Sequence, residues 1–192
     1  STLRIGGDML LGTRMTGCVG AVGVANHLTA RKAIQPGDVL LMTEGAGGGT
    51  IATAAIYSRF PDVVDETINL HFPKACEALL ASDVLNGIHA MTDVTNGGLR
   101  GDAYEMAETA GCRIVVEEDE LRTLVQPKVL AMLDALEIDY LGVSLDALLV
   151  VAPPEVAPDI RRVVESAGVA MKEVGYVEKG APESVLSVGG EI

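Results

Sequence analysis

Strand-like and helix-like segments alternate along this sequence, and the alternation predicts an α+β fold with helices layered on a sheet. The core composition agrees: apolar residues make up 48% of the 192 positions, aromatics are 3% and Trp is absent, so Ala, Val, Leu and Ile must fill the interior. Glycine and proline stand where the pattern changes, as at Pro36-Gly37, Gly111 and Gly168. Helix crossovers also occur in ferredoxin-like sheets with antiparallel neighbours, so strand order stays open.

Thr16 to Ala25, "TGCVGAVGVA", is the first strand candidate, weakened by its glycines. Pro36-Gly37-Asp38 then makes a turn before the continuous apolar run Val39 to Met42, which reads as a buried strand. A small-residue helix follows in "GAGGGTIATAAIYSRF", and a second in "ETINLHFPKACEALLAS", where Pro73 marks a kink or a true start. "GIHAM" is a short strand. Leu99, Ala103, Met106, Ala107 and Ala110 recur at helical spacing, and Gly111 fits a left-handed C-terminal cap. Strand "RIVV", helix "QPKVLAMLDALEI", strand "DALLVVAP", helix "EVAPDIRRVVESAG" and strand "AMKEVGYV" continue the rhythm.

The 27 acids against 14 Lys and Arg give a formal charge of -13, which argues against nucleic acid and anionic membrane surfaces as partners. A bound phosphate would have to be held locally, by backbone amides, a divalent cation or a basic residue of another chain, and the 22 glycines suit the first. Cys18, Cys76 and Cys112 are widely spaced and form no C-x-x-C pair, so a reducing cytoplasm is expected instead of a disulfide framework or zinc site. No apolar run approaches the roughly 20 residues of a membrane-spanning helix.

Two glycine turns carry the candidate chemistry. "TEGAGGGT", Thr43 to Thr50, and "TDVTNGGL", Thr92 to Leu99, each join a strand to a helix start. First-turn helix amides have no internal partner, the helix dipole adds about half a positive charge, and glycine lets an anion approach. Gly47, Gly48, Gly49 and Thr50 in one turn, and Thr95, Asn96, Gly97 and Gly98 in the other, are the candidate cofactor-binding residues. Neither turn matches a Walker or dinucleotide motif, and close packing would explain the glycines equally. Asp93 could cap the helix, bind magnesium or orient a nucleophile; Thr95 and Asn96 could cap or bind phosphate; Asp8 could make a turn or hold Mg²⁺. His27, His71 and His89 show no ligand spacing, and "EEDE", Glu117 to Glu120, reads as a capped, solvated loop.

The order of "GGDM", "PGDVLLMTEGAGGGTIATAA", "IHAMTDVTNGGLRGDAYEMAETAGCRIVVEEDEL" and "DYLGVSLDALLVVAPPE" resembles the C-terminal half of the aminoimidazole ribonucleotide (AIR) synthase superfamily. That superfamily includes formylglycinamidine ribonucleotide synthetase, selenophosphate synthetase, thiamine-monophosphate kinase and the hydrogenase-maturation dehydratase. The resemblance implies an AIR synthase C-terminal-domain-like fold, a mixed sheet with partial ferredoxin-like topology. It divides the chain into 1–25, the residual end strand of an N-terminal ATP-binding domain, 26–180, the C-terminal domain, and 181–192, a tail.

It also implies ATP-dependent phosphoryl transfer to a small-molecule substrate by a cytoplasmic homodimer. ATP and Mg²⁺ would sit largely on the N-terminal domain, Asp8 would belong to the metal shell, Asp93 would be catalytic, and the glycine loops would close the cleft. Val94 and Asn96 stand where related loops often have proline and arginine, and the cysteine-bearing tail of the hydrogenase-maturation branch is not seen in "GGEI". A non-catalytic relative that binds a small ligand or a partner is the alternative. These 192 residues read as a fragment without most of the nucleotide half. Calorimetric titration with Mg-ATP should accordingly give weak binding or none, and tight binding would contradict that division.

Overall fold

The computed structural model describes residues 20, 22–95 and 97–192. Its centre is a six-stranded sheet of β1 (Val39–Thr43), β2 (Ala90–Val94), β3 (Arg113–Glu117), β4 (Ala147–Ala152), β5 (Met171–Glu178) and β6 (Glu183–Ser187), in the order β2-β4-β1-β5-β3-β6. The first five pair antiparallel with their neighbours, while β6 lies parallel to β3, so the sheet is mixed as expected.

Every residue of β1 and β4 is buried, because helices cover both faces. Leu40, Met42, Leu149 and Val151 point into one core with α1 (Gly49–Ser58), α2 (Pro61–Glu66), α4 (Gly98–Ala110), α5 (Glu118–Arg122) and α6 (Pro127–Ala135). Val39, Leu41, Leu148 and Val150 point into the other, under α3 (His71–Leu80) and α7 (Ala157–Ser166). The two-residue period of the strands thus divides one apolar run between two helical layers.

Several boundaries differ from the expectation. The stretch "ETINLHFPKACEALLAS" is not one helix: α2 ends at Thr67, whose hydroxyl donates to the Val64 carbonyl, and Asn69 accepts from the His71 amide to start α3. Pro73 sits in the first turn of α3, where its missing N–H costs nothing. The described part of the first strand candidate, residues 20 and 22–25, forms no regular element. Glu183–Ser187, expected within a tail, is an edge strand, clamped to β5 and β3 by Arg113, whose guanidinium pairs with Glu178 and Glu183. The acids of "EEDE" find separate partners: Glu118 accepts from the Tyr140 hydroxyl, Asp119 from the Gly189 amide and Glu120 from Lys172.

Leu40 is fully buried on a central strand, so Leu40→Ala should cost about 2–5 kcal/mol, read as a lower urea midpoint at unchanged slope.

Candidate functional site

Because β4 runs antiparallel between β1 and β2, those two strands are parallel to each other and end at the same edge of the sheet. Both glycine turns therefore emerge side by side. The segment that leads into β4 passes between them: the Gly47 amide donates to the Leu145 carbonyl at 2.7 Å, and the Asp146 amide donates to the Val94 carbonyl at 3.1 Å.

The first turn is fixed from both sides. Gly45 donates to Leu124 and accepts from Gln126, while Glu44 accepts from the Gln126 side chain at 2.8 Å and the Ala170 amide at 2.9 Å. Gly47 has φ +73° and a Cβ there would stand 2.1 Å from Ile51 Cγ1, so glycine is required by both backbone and packing. Gly48 is the N-cap of α1, no side chain caps that helix, and its first turn carries no acid. Gly49 and Thr50 are exposed on this uncapped end.

The second turn is shorter than the sequence suggested, because Thr92, Asp93 and Val94 belong to β2. Thr95 and Gly97 lie beyond the strand, and the Gly98 amide closes back on the Thr95 carbonyl at 2.9 Å. Gly97, at φ +92°, is the N-cap of α4, which has no side-chain cap; Asp93 and Thr95 do not supply one. Gly98, at φ +63°, is buried against the connection between α6 and β4: a Cβ there would lie 2.3 Å from the Leu141 carbonyl oxygen and 2.6 Å from the Val143 nitrogen.

Carboxylates flank these amides. Asp93 and Asp146 are half-buried. Burial first, then the Asp93 charge, pushes the Asp146 carboxyl above its ordinary range, and the same two causes raise the Cys76 thiol. Asp146 sits at φ +54°, and a Cβ on Gly48 would be 3.8 Å from its Oδ2, which places this acid beside the start of α1. The sequence reading did not single it out, although an acid immediately before a fully apolar strand was a usable signal. Asp8 and Asn96 lie outside the described residues. Among the described residues no group of three His, Cys, Asp or Glu side chains could hold a metal ion.

Parallel glycine turns, each feeding an uncapped helix and joined by one crossing segment, are the fold's distinctive feature. The family model "AIR synthase related protein, C-terminal domain" matches residues 35–187. The chain belongs to this family. An "Uncharacterized protein" of Methanocaldococcus jannaschii is 51% identical over 191 residues, 98% of this chain and 41% of its own length. The carbamoyl dehydratase HypE of Rhodobacter capsulatus is 33% identical over 147 residues, covering 73% of this chain and 40% of its own. The crystal structure of hydrogenase maturation protein HypE in complex with ATP shares the fold, with a TM-score of 0.64 at 20% identity over 84% of this chain and 50% of that one. This AIR synthase-related domain thus spans about two fifths of the length of these curated relatives.

Individual glycines of the two turns differ in what they allow. Gly98→Ala should cost about 2–4 kcal/mol through backbone overlap and positive φ, whereas Gly49→Ala, with nothing within 4 Å of the new Cβ, should change urea stability by less than about 1 kcal/mol.

Proposed function

We propose that this chain is the C-terminal domain of an ATP-dependent phosphoryl-transfer enzyme of the AIR synthase superfamily, and that its two glycine turns close over the ATP and substrate cleft. The observation that carries the reading is the pair of uncapped helix N-termini, α1 and α4, presented at one sheet edge. Family membership supports it, as does HypE, a relative of the same fold solved with ATP.

The Gly47 and Gly98 amides are engaged by the Leu145 and Thr95 carbonyls, so the amides of Gly48, Gly49, Thr50 and Gly97 would hold phosphoryl oxygens without a fixed cation, in line with the charge of -13. Asp93, near the end of β2, would orient the attacking oxygen of an amide, carboxylate or phosphate-ester substrate and, for an amide, accept the proton that leaves its nitrogen as the oxygen is phosphorylated. Magnesium would neutralise phosphate charge in the assembled site. The metal would be held mainly by the remainder of the protein, with Asp8 in its shell. The whole protein would act as a cytoplasmic homodimer. Among the described residues, no helix is long and apolar enough to cross a membrane.

A second reading, a relative that binds a small ligand or partner without turnover, is favoured by the arginines near the second turn. Arg31 is occupied by Asp102, Glu105 and Thr92, Arg100 by Asp139, and position 96 is Asn. The test is to incubate the whole protein with Mg-ATP and a panel of amide, carboxylate and phosphate-ester substrates. ATP turnover with one class is expected, and Asp93→Asn should lower it by roughly a hundredfold or more. Absence of turnover with every class, together with no effect of Asp93→Asn or Gly97→Ala, would leave the binding reading.

A further inference from the structure

Arg59 stands where other helices of this chain end in glycine. It closes α1 in the left-handed conformation, at φ +64°, whereas α4 and α7 are followed in that conformation by Gly111 and Gly168. A side chain at such a position carries backbone strain that glycine avoids. Arg59 is also exposed and, among the described residues, is the arginine without an ion pair; Arg31, Arg100, Arg113, Arg122, Arg161 and Arg162 each have one. It lies between two open grooves at the α1–α2 corner. One, of about 470 Å³, includes Ile56, Arg59, Pro61, Asp62 and Asp65 in its lining. The other, of about 350 Å³, extends from Arg59 toward Met132 and Lys128, which is paired with Glu66. Thr53, Ile56 and Tyr57 share one exposed face of α1 beside them, with Ile56 63% and Tyr57 84% exposed. Single exposed apolar residues are ordinary, but a tyrosine, an isoleucine and an unpaired arginine around one groove have the composition of a contact centre.

We propose that the α1–α2 corner is a self-association surface on which a second copy of this chain docks about a two-fold axis, with Ile56 and Tyr57 at its centre and Arg59 of each copy on Asp62 and Asp65 of the other. The proposal rests on the homodimer reading given above and names its contact; it does not require ATP turnover. Charge selects the occupant. Two copies at -13 each repel over most of their surfaces, so they approach closely only where that charge is lacking, and none of the 10 residues of α1 is charged. The groove beside α1 carries both signs. A two-fold axis makes every contact occur twice, so one arginine and two aspartates on a single groove become two complementary sets. A strongly acidic partner would meet Asp62 and Asp65 along with Arg59, and a strongly basic one would meet Arg59 along with the acids. An identical copy can satisfy both.

Sedimentation equilibrium of the 192-residue chain over a concentration series should show a monomer–dimer equilibrium. Tyr57→Ala, Arg59→Glu and the double change Asp62→Arg with Asp65→Arg should each raise its Kd about tenfold or more, whereas Arg59→Glu combined with that double change should return it to within about threefold of the starting value. All four positions are exposed, and the urea midpoint of each variant checks that it is folded. A chain that stays monomeric at every concentration, a dimer unmoved by these variants, or a combined variant no tighter than its parents would overturn the assignment. So would protection of the α1 amides from hydrogen exchange in the whole protein at concentrations where it sediments as a single chain, because another part of the polypeptide would then cover this face. A dimer that follows the exchange of charges in a protein without ATP turnover supports the surface and counts only against phosphoryl transfer.

Discussion

Strand β4 is buried along its whole length and hydrogen-bonded on both edges, and the geometry of the candidate site depends on it. With β4 antiparallel to both neighbours, β1 and β2 are parallel and two inter-strand spacings apart, about 10 Å. That separation suits a polyanion touched by two loops, since each helix start reaches it from a different strand. The six apolar residues of β4, with nothing polar between Ala147 and Ala152, make this arrangement hard to slip, because a one-residue shift would exchange the contents of the two cores.

In the proposed role, an acidic protein would need anion donors that carry no countercharge into the rest of the fold. Backbone amides provide them, and the uncapped state of α1 and α4 keeps them unclaimed by neighbouring side chains. Asp93 and Asp146 pull the other way. Like charges at the same edge are mutually unfavourable, and a nearby cation or proton would relieve them. In the proposed site this opposition would disfavour bare anions, which meet carboxylates, relative to an anion accompanied by positive charge.

Much of the architecture was legible in the sequence because its signals are local. The apolar run Val39 to Met42, the helical spacing of Leu99, Ala103 and Met106, and the Gly111 cap all mark their elements. Strand order was not legible, because pairing is decided between residues as distant as Val39 and Ala152. β6 escaped notice since its five residues are mostly half-buried and carry no long apolar run. At the site, the glycines stood out by composition, but their division into roles did not. Gly47 and Gly98 answer to Ile51 and to the Leu141–Val143 backbone, contacts that only the fold creates, while Gly49 meets nothing. Asp146 was passed over because a lone acid has no pattern; burial and neighbours distinguish it.

Gly98 rests directly on the backbone of residues 141–143, with no side chain between the two chains. Surface connections ordinarily absorb insertions and deletions. The connection between α6 and β4 is different, since it forms the wall against which the second turn is set and then crosses to the first turn at Leu145. Lengthening or shortening it by one residue would move both glycine turns together, so its length should be as restricted in divergent sequences as the identity of the glycine it touches.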